Sequence, residues 1–263
     1  MNMNWKKIGF DCIKKAVSEL NKLSQVKILK DKINVQTNAD IVSHNALIDC
    51  LKTHKVSCNI FSEEDKNVIK INGGDRNVII ILDPIDNTHL YLRGEKSFCS
   101  VAMMVIINNK PAYSFVGDIV TGDIYHCDQN KAYKNNKVIK VPSEVPGRKI
   151  IIGWAPHKMR LERLYKCLGP LTSQDYYLYN FGGQLQAVKI ATGNYDAYVE
   201  VRAETLNEFC AALIVDRAGG YVTTLQGNPI SYNPRKKQTL LISRKKEIHK
   251  KLLGQFIGKD YED

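Results

Sequence analysis

The chain has 263 residues and a net charge of +11, and 44% of its residues are hydrophobic. These values are typical of a folded globular protein with one large domain or two lobes that share a core. No apolar run approaches the ~18 residues of a membrane span, so no transmembrane helix is expected. The Lys and Arg residues are spread along the chain without a nucleic-acid motif. This distribution favours a basic surface that attracts anionic phosphoesters over a nucleic-acid partner.

The cysteines and the N-terminus both bear on the cellular compartment. The seven cysteines are scattered and include no Cys-x-x-Cys pair, which favours reduced thiols over a disulfide framework or a zinc site. The first residues lack the apolar segment of a signal peptide. A cytoplasmic location without a membrane partner is therefore predicted.

Two helices and a short strand are predicted in the first third of the chain. Apolar residues at helical spacing predict a helix over residues 4–24 and a second helix from Ala39 to His54. Asp40 lies in the first turn of the second helix, where the helix dipole favours an acidic residue. The strand that follows ends in the acidic triplet Glu63-Glu64-Asp65, for which a solvated turn is the simplest interpretation.

The segment 78–94 contains the strongest chemical signal. Its five leading apolar residues predict a strand that is buried on both faces and ends at Asp83, because Pro84 fixes φ and donates no hydrogen bond. Asp86 and Asn87 follow where a helix would begin, with the capping chemistry of Asx residues. A helix N-terminus favours phosphate, and two carboxylates beside a phosphate need a hard cation such as Mg²⁺ between them. The segment therefore predicts a metal-assisted phosphoryl site.

The remaining chain is predicted to alternate strands and helices. Residues 97–141 contain apolar segments separated by turn formers, which predict an antiparallel sheet. A shift in composition near residues 142–147 suggests two domains, 1–145 and 146–263. The elements predicted in the second half include strands at 149–153, 176–179, 221–223 and 239–243, and helices at 157–168 and 245–256.

Four segments resemble one enzyme family in the same order along the chain. Asp83-Pro84-Ile85-Asp86-Asn87-Thr88 resembles the D-P-[IL]-D-G-T signature of the inositol monophosphatase superfamily. Thr37-Asn38-Ala39-Asp40 is similar to its T-x-[AT]-D element, and Ser62-Glu63-Glu64 to its S-E-E element. Residues 206–220 resemble its second signature, W-D-x-A-A-x₅-E-A-G-G. The resemblance covers nearly the whole chain and implies an α/β fold, a layered α-β-α-β-α sandwich of the sugar phosphatase type in two lobes.

The same resemblance implies an activity and a set of site residues. The implied activity is Mg²⁺-dependent hydrolysis of a phosphomonoester by attack of a metal-activated water. The implied metal ligands are Glu63, Asp83, the backbone carbonyl of Ile85, Asp86 and Asn207. The implied catalytic residues are Asp40, Glu63 and Thr88, and the implied substrate contacts are the amides of Asn87 and Thr88 and the side chain of Glu200. For Glu200, a strand-end carboxylate on the surface is an equally good interpretation. Members of the family usually form homodimers, so a homodimer is expected.

Several positions depart from the family pattern. Asn87 replaces the usual Gly, and because Asn tolerates a left-handed backbone, the turn is expected to survive. Leu90 stands where Asn is frequent, and Gly183-Gln184 replaces a pair that often includes a hydroxyl. Asn207 takes the place of a metal-binding Asp, so it keeps an oxygen donor but loses a negative charge that Mg²⁺ prefers.

Two hypotheses of different classes follow from these departures. The first is an active Mg²⁺-dependent phosphatase for inositol monophosphate or a sugar phosphate such as fructose 1,6-bisphosphate. The second is a catalytically weak or inactive relative that binds a phosphometabolite or a protein partner. The intact Asp40, Glu63, Asp83, Asp86 and Thr88 favour the first hypothesis, and the departures at Asn87, Leu90 and Asn207 favour the second.

Overall fold

A computed structural model describes residues 3–31, 35–147, 149–155, 175–205 and 208–256. The chain divides into two compact units, Met1–Lys137 and Val138–Asp263, which we call the N-terminal and the C-terminal unit. The domain boundary that the sequence suggests between residues 145 and 146 stays a prediction. Within the described ranges, no helix is both long and apolar enough to span a bilayer.

The N-terminal unit combines helices with a large sheet. Its helices are α1 (Trp5–Lys22), α2 (Asn38–Thr53) and α3 (Thr88–Leu92). Its strands are β1 (Ile28–Asp31), β2 (Val35–Thr37), β3 (Cys58–Ser62), β4 (Asp65–Ile71), β5 (Val78–Asp86), β6 (Ser100–Ile107), β7 (Lys110–Asp118), β8 (Ile124–Cys127), β9 (Ala132–Lys134) and β10 (Lys137–Ile139). In the described chain, β1 pairs with β2, and the others form an eight-stranded sheet in the order β10-β9-β8-β7-β6-β5-β3-β4.

Helix α1 packs closely against the sheet because glycines remove two side chains from the contact. A Cβ added to Gly9 would lie 2.1 Å from the ring of Phe115, and one added to Gly117 would lie 2.3 Å from Cγ2 of Ile13. The helix begins at Trp5, where the side chain of Asn4 accepts a hydrogen bond from the amide of Lys7 at 3.1 Å. The predicted helices over 4–24 and 39–54 are thus confirmed, with ends that differ by one or two residues.

Strand β5 is longer than the sequence predicts. It pairs in parallel with β3 and antiparallel with β6, and it continues past Asp83 to Asp86. Asp83 lies opposite Ala102, and Asp86 lies opposite Ser100, so β5 has one extra residue over this stretch. This is the arrangement of a β-bulge, which tolerates a residue without an N–H group. The prediction that Pro84 ends the strand is therefore wrong.

The C-terminal unit contains a smaller mixed sheet. Its strands are β11 (Ile150–Ala155), β12 (Tyr176–Tyr179), β13 (Ala197–Glu204), β14 (Tyr221–Thr223) and β15 (Gln238–Ser243). Its helices in the described ranges are α4 (Gly183–Val188), α5 (Phe209–Arg217) and α6 (Lys246–Phe256). The strand order is β12-β11-β13-β15-β14, with β11 parallel to both of its neighbours. The mixed α/β class is confirmed, whereas the helix predicted at 157–168 lies outside the described residues.

A buried ion pair holds the C-terminal unit together. The Nε and Nη2 atoms of Arg244 donate to Oδ1 of Asp196 at 3.0 and 2.5 Å, and the other Asp196 oxygen accepts from the amide of Ile151 at 2.9 Å. Arg244 Nη1 also donates to the carbonyls of Pro142 and Ser143. The two charged side chains are only 5% and 6% exposed. Each guanidinium nitrogen of Arg244 and each carboxyl oxygen of Asp196 has at least one protein partner, which offsets the cost of burying the charges.

We expect Asp196→Asn to destabilise the C-terminal unit by about 3–5 kcal/mol, because it leaves the guanidinium of Arg244 buried without its counter-charge. Urea unfolding followed by the fluorescence of Trp154, which is buried in the same unit, measures this loss.

Asp175→Asn is the matched control for this prediction. Asp175 pairs with Lys251 at 3.4 Å, but the side chains are 68% and 48% exposed, so the same substitution should change the unfolding free energy by at most about 1 kcal/mol. Equal losses in the two variants would contradict the role assigned to the buried pair.

Candidate functional site

Two neighbouring strand ends place acidic residues side by side in the N-terminal unit. Strands β3 and β5 run parallel with Ser62 opposite Leu82, and the amide of Glu63 donates to the carbonyl of Leu82 at 3.3 Å. Glu63 therefore follows β3 beside the point where Asp83 lies on β5. The side chain of Glu63 is exposed, and that of Asp83 is half-buried. The first two residues of the acidic triplet, Glu63 and Glu64, form the turn between β3 and β4, and Asp65 begins β4.

The bulge in β5 places a second carboxylate close to the same edge. Asp86 lies three residues after Asp83, and its Oδ2 atom accepts a hydrogen bond from the hydroxyl of Ser100 at 3.2 Å. Ser100 is fully buried at the start of β6. The sequence carries no signal for Ser100, because its contact with Asp86 depends on the strand register.

Asn87 adopts the left-handed backbone that the sequence analysis expected, with φ of 65° and ψ of 44°. Its side chain does not cap α3, so the predicted Asx capping is wrong. The Nδ2 atom instead donates to the carbonyl of Phe98 at 3.0 Å, because a residue in this conformation directs its side chain away from the helix. This hydrogen bond ties the turn to the segment that precedes β6.

Thr88 connects the β5 turn to α2. Its Oγ1 atom lies 2.9 Å from Oδ1 of Asp40 and 2.9 Å from the carbonyl oxygen of Ile85. One hydroxyl proton serves only one acceptor at a time, so the hydroxyl has two alternative donor directions. The structure thus brings together three residues that the sequence analysis named, although 48 residues separate Asp40 from Thr88.

The carboxylate of Asp40 also forms the cap of α2. Its Oδ2 atom accepts from the amide of Thr37 at 2.7 Å and from the hydroxyl of Thr37 at 2.6 Å. The same hydroxyl accepts from the amide of Asp40 at 3.4 Å, which completes a capping box, and from the amide of Ala39 at 3.2 Å. Burial raises the pKa of Asp40, and the hydrogen bonds from Thr37 and Thr88 oppose this rise. These three hydrogen bonds therefore favour the charged form of a fully buried acid.

Glu64 is partly buried, although the sequence predicted a solvated turn for the acidic triplet. Burial raises the pKa of Glu64 to about 7, and a hydrogen bond from Nε2 of Gln36 opposes the rise. The amide of Glu64 donates to the hydroxyl of Ser62 at 3.3 Å, and that hydroxyl lies 3.0 Å from Nδ1 of His44. The sequence signal for this network is weak, because Gln36 lies on β2 and Glu64 lies in the β3–β4 turn, 28 residues further along the chain.

The oxygen donors at the strand ends have the right chemistry for a hard cation. Carboxylate and carbonyl oxygens are the preferred ligands of Mg²⁺. Such atoms are supplied directly after β3 by Glu63 and near the end of β5 by Asp83, Ile85 and Asp86. Across the described ranges, however, no three His, Cys, Asp or Glu side chains are grouped as a metal site. The donor chemistry of these residues therefore fits a hard cation.

The remaining predicted site residues belong to the C-terminal unit. Glu200 lies on β13 opposite Ala155 and Leu240 and is only 2% exposed, so the surface interpretation of this residue is wrong. Asn207 lies outside the described residues.

The neighbour of Asn207, Glu208, accepts a hydrogen bond from the hydroxyl of Tyr198 at 2.8 Å. Gly183 in turn donates its amide to Tyr198 Oη at 3.1 Å, and Gln184 Oε1 accepts from the amide of Ala211 at 3.0 Å. The backbone amide of Gly183 thus binds Tyr198, and the side chain of Gln184 accepts a hydrogen bond from an amide in the first turn of α5.

The sequence matches the model of the inositol monophosphatase family over residues 1–258. The chain therefore belongs to the inositol monophosphatase family, a family of phosphatases that are generally metal-dependent. The resemblance identified from the four sequence segments is confirmed.

Individual relatives are distant in sequence and close in fold. The chain is 26% identical over 253 residues to the fructose-1,6-bisphosphatase/inositol-1-monophosphatase of Archaeoglobus fulgidus, with 92% of each chain covered. It is 25% identical over 214 residues to Nus factor SuhB of Xylella fastidiosa, with 79% of this chain and 76% of that protein covered. The crystal structure of the extragenic suppressor protein suhB from Bartonella henselae matches 97% of this chain and 98% of its own, with a TM-score of 0.81 and 18% identity. That likeness shows the shared fold.

We expect Thr37→Val to lower the free energy of unfolding by about 1–2 kcal/mol, because it removes the cap of α2 and one of the donors to Asp40. Thr37→Ser keeps the hydroxyl and should retain most of the stability. Urea denaturation monitored by circular dichroism measures both variants.

Thr53→Val is the control at the other end of α2. The hydroxyl of Thr53 is exposed and donates only to the carbonyl of Asp49 at 2.8 Å, so its loss should change the stability by at most about 0.5 kcal/mol. A comparable loss in both Thr→Val variants would show that the cap has no special role.

Proposed function

We propose that the protein is a Mg²⁺-dependent phosphomonoester hydrolase that acts on inositol monophosphate or on a sugar phosphate such as fructose 1,6-bisphosphate. The observation that supports this proposal best is the hydrogen bond from Thr88 to the buried carboxylate of Asp40, next to the strand-end acids Asp83 and Asp86. Membership of a phosphatase family gives independent support.

The proposed metal ligands are the carboxylates of Glu63, Asp83 and Asp86 and the carbonyl of Ile85, with Asn207 as a further oxygen donor. When bound, Mg²⁺ would neutralise phosphate charge and make a water molecule more acidic. The hydroxyl of Ser100 donates to Oδ2 of Asp86 and so helps to fix the orientation of this carboxylate.

Thr88 and Asp40 are the proposed catalytic residues, together with Glu63. When Thr88 donates its proton to Asp40, its oxygen is left to accept a hydrogen bond from a water molecule. The water is thereby oriented, and its proton has a path through the hydroxyl to the carboxylate. The amides of Asn87 and Thr88, in a turn fixed by the Asn87–Phe98 hydrogen bond, are the proposed phosphate contacts. Glu200 is the proposed contact to substrate hydroxyls.

A catalytically weak or inactive relative that binds a phosphometabolite or a protein partner is the second candidate. The specific observation in its favour is Asn207, which has one negative charge less than the Asp of the family pattern. The homodimer and the cytoplasmic location stay predictions.

Phosphate release distinguishes the two candidates. We expect the wild type with millimolar Mg²⁺ to hydrolyse at least one of inositol monophosphate, fructose 1,6-bisphosphate and 3′-phosphoadenosine 5′-phosphate, and to lose this activity with EDTA. Asp83→Asn should lower kcat/KM by at least ~10²-fold. Asp49→Asn, an exposed carboxylate on α2 that is 61% accessible, is the control and should leave the activity unchanged.

The variant Asn207→Asp addresses the metal site directly. If the wild type is an enzyme, restoring the charge should lower the Mg²⁺ concentration needed for half-maximal activity. A wild type inactive on all three substrates, together with an active Asn207→Asp variant, would refute the proposed activity and favour the second candidate.

The role of Thr88 is tested by a pair of substitutions. We expect Thr88→Val to reduce kcat by ~10²–10³-fold, since it removes the hydroxyl that links the water to Asp40. Thr88→Ser keeps the hydroxyl and should remain within ~10-fold of the wild type. Equal rates for the Val and Ser variants, with the fold intact, would rule out the proposed proton path.

A further inference from the structure

One face of α2 carries three buried polar residues. Asp40, Ser43 and His44 are spaced by three and four residues from the first of them, so they share one side of the helix. Their exposed fractions are 0%, 0% and 8%. A buried polar side chain is costly unless it forms hydrogen bonds. The bonds of Asp40 run to Thr37 and Thr88, whereas those of Ser43 and His44 run to the two strand ends that carry the proposed metal ligands.

Ser43 binds the irregular part of β5. Its hydroxyl donates to the carbonyl of Pro84 at 2.6 Å, and Pro84 lies in the bulge between Asp83 and Asp86. A bulge takes backbone groups out of the regular ladder, and a buried carbonyl then needs another donor. Ser43 supplies that donor. Since the next carbonyl along the chain belongs to Ile85, Ser43 fixes the backbone directly before a proposed ligand atom.

His44 binds the end of β3 in a comparable way. Its Nδ1 atom lies 3.0 Å from the hydroxyl oxygen of Ser62, and this oxygen also accepts from the amide of Glu64 at 3.3 Å. A hydroxyl has one proton and two lone pairs, so it bonds to both partners with either tautomer of the imidazole. The amide of Glu63 donates to Leu82. Both backbone amides that flank the Cα of Glu63 are therefore held by hydrogen bonds.

These two contacts connect the strand ends where the sheet itself stops connecting them. The register of β3 with β5 ends at Ser62 opposite Leu82, directly before Glu63 and Asp83. Beyond that pair, adjacent residues of one helix hold the β3 turn and the β5 bulge. The distance between the two groups of oxygen donors is thus set by α2 as well as by strand pairing.

We propose that Ser43 and His44 are positioning residues of the proposed metal site. Ser43 acts through the carbonyl of Pro84 on the β5 bulge, and His44 acts through Ser62 on the turn that carries Glu63. Neither side chain is itself a ligand. This proposal rests on the proposed function, because it takes the donors at the two strand ends as the ligands of a hard cation.

The affinity for the metal is the quantity that such residues change. Groups that orient metal ligands by hydrogen bonds typically contribute ~10–100-fold to the affinity. We therefore expect Ser43→Ala and His44→Leu each to raise the dissociation constant for Mn²⁺ by ~10-fold or more. Mn²⁺ is the probe because it takes the same oxygen ligands as Mg²⁺. Its binding to the full chain, without substrate, is measured from the loss of the free-ion signal in electron paramagnetic resonance.

A conservative variant separates the hydrogen bond from the packing of the imidazole. Asn carries a polar atom at the position of Nδ1 of His44, whereas Leu fills a similar volume without one. His44→Asn should therefore bind Mn²⁺ within ~3-fold of the wild type, because it keeps a partner for the hydroxyl of Ser62. Equal dissociation constants for the Asn and Leu variants would overturn the role of this hydrogen bond.

His126→Leu is the matched control for a general loss of stability. His126 is 1% exposed, and its Nε2 atom lies 2.8 Å from the carbonyl oxygen of Asn135. It lies on β8, which β7 and β6 separate from β5 in the same sheet. This variant should lower the melting temperature and leave the affinity for Mn²⁺ unchanged. A loss of affinity as large as that of His44→Leu would overturn the proposal, because destabilisation alone would then explain both.

The outcomes also distinguish this proposal from the proposed function. A wild type that binds Mn²⁺, together with unchanged affinity in folded Ser43→Ala or His44→Leu, would overturn the positioning role of that residue and leave the proposed phosphatase intact. A wild type that binds no Mn²⁺ would overturn both. If His44→Leu fails to fold, Ser43→Ala decides the outcome, since it removes only a hydroxyl.

Discussion

The candidate site depends on the irregular pairing of β5 between Asp83 and Asp86. Side chains in a regular strand alternate between the two faces, so residues three apart would point in opposite directions. Because β5 has one extra residue relative to β6, the alternation of side chains shifts by one position between Asp83 and Asp86. Both carboxylates can therefore lie on the same side of the sheet edge. Pro84 makes the irregularity compatible with the sheet, because it lacks the N–H group that regular pairing would use. The sequence Asp-Pro-x-Asp therefore sets the local geometry of β5 and also supplies two of the proposed metal ligands.

The second constraint is that folding and the proposed chemistry use the same polar groups. Asp40 is fully buried, and its charged form is favoured by hydrogen bonds from Thr37 and Thr88. Thr37 also caps α2, so the same residue fixes the start of this helix and the orientation of the Asp40 carboxylate. The hydroxyl of Thr88 joins α2 to the β5 turn through the side chain of Asp40 and the carbonyl of Ile85. A change at any of these residues should therefore alter stability and catalysis together.

The features that the sequence predicted are those set by local patterns. The start of α2 with Asp40 in its first turn, the strand before Glu63 and the left-handed turn at Asn87 follow from residue spacing and from the conformational range of Asn. The contacts that it missed join distant segments. Glu64 meets Gln36 only because the β3–β4 turn lies beside β2, and Asp86 meets Ser100 only because of the bulge. The strand continues past Pro84 because its pairing with β6 extends to Asp86, opposite Ser100.

The burial of Asp40 bears on the choice between an enzyme and an inactive relative. A capping box needs an acceptor at this position, but a solvent-exposed acid would supply it without the cost of desolvation. Here burial raises the pKa of Asp40, and three hydrogen bonds are needed to oppose that rise. A protein that no longer required the charge would be more stable with a less buried polar group at this position. The retention of this costly arrangement, next to Asp83 and Asp86, therefore favours the active phosphatase over the alternative, whereas Asn207 weakens only one of the proposed ligands.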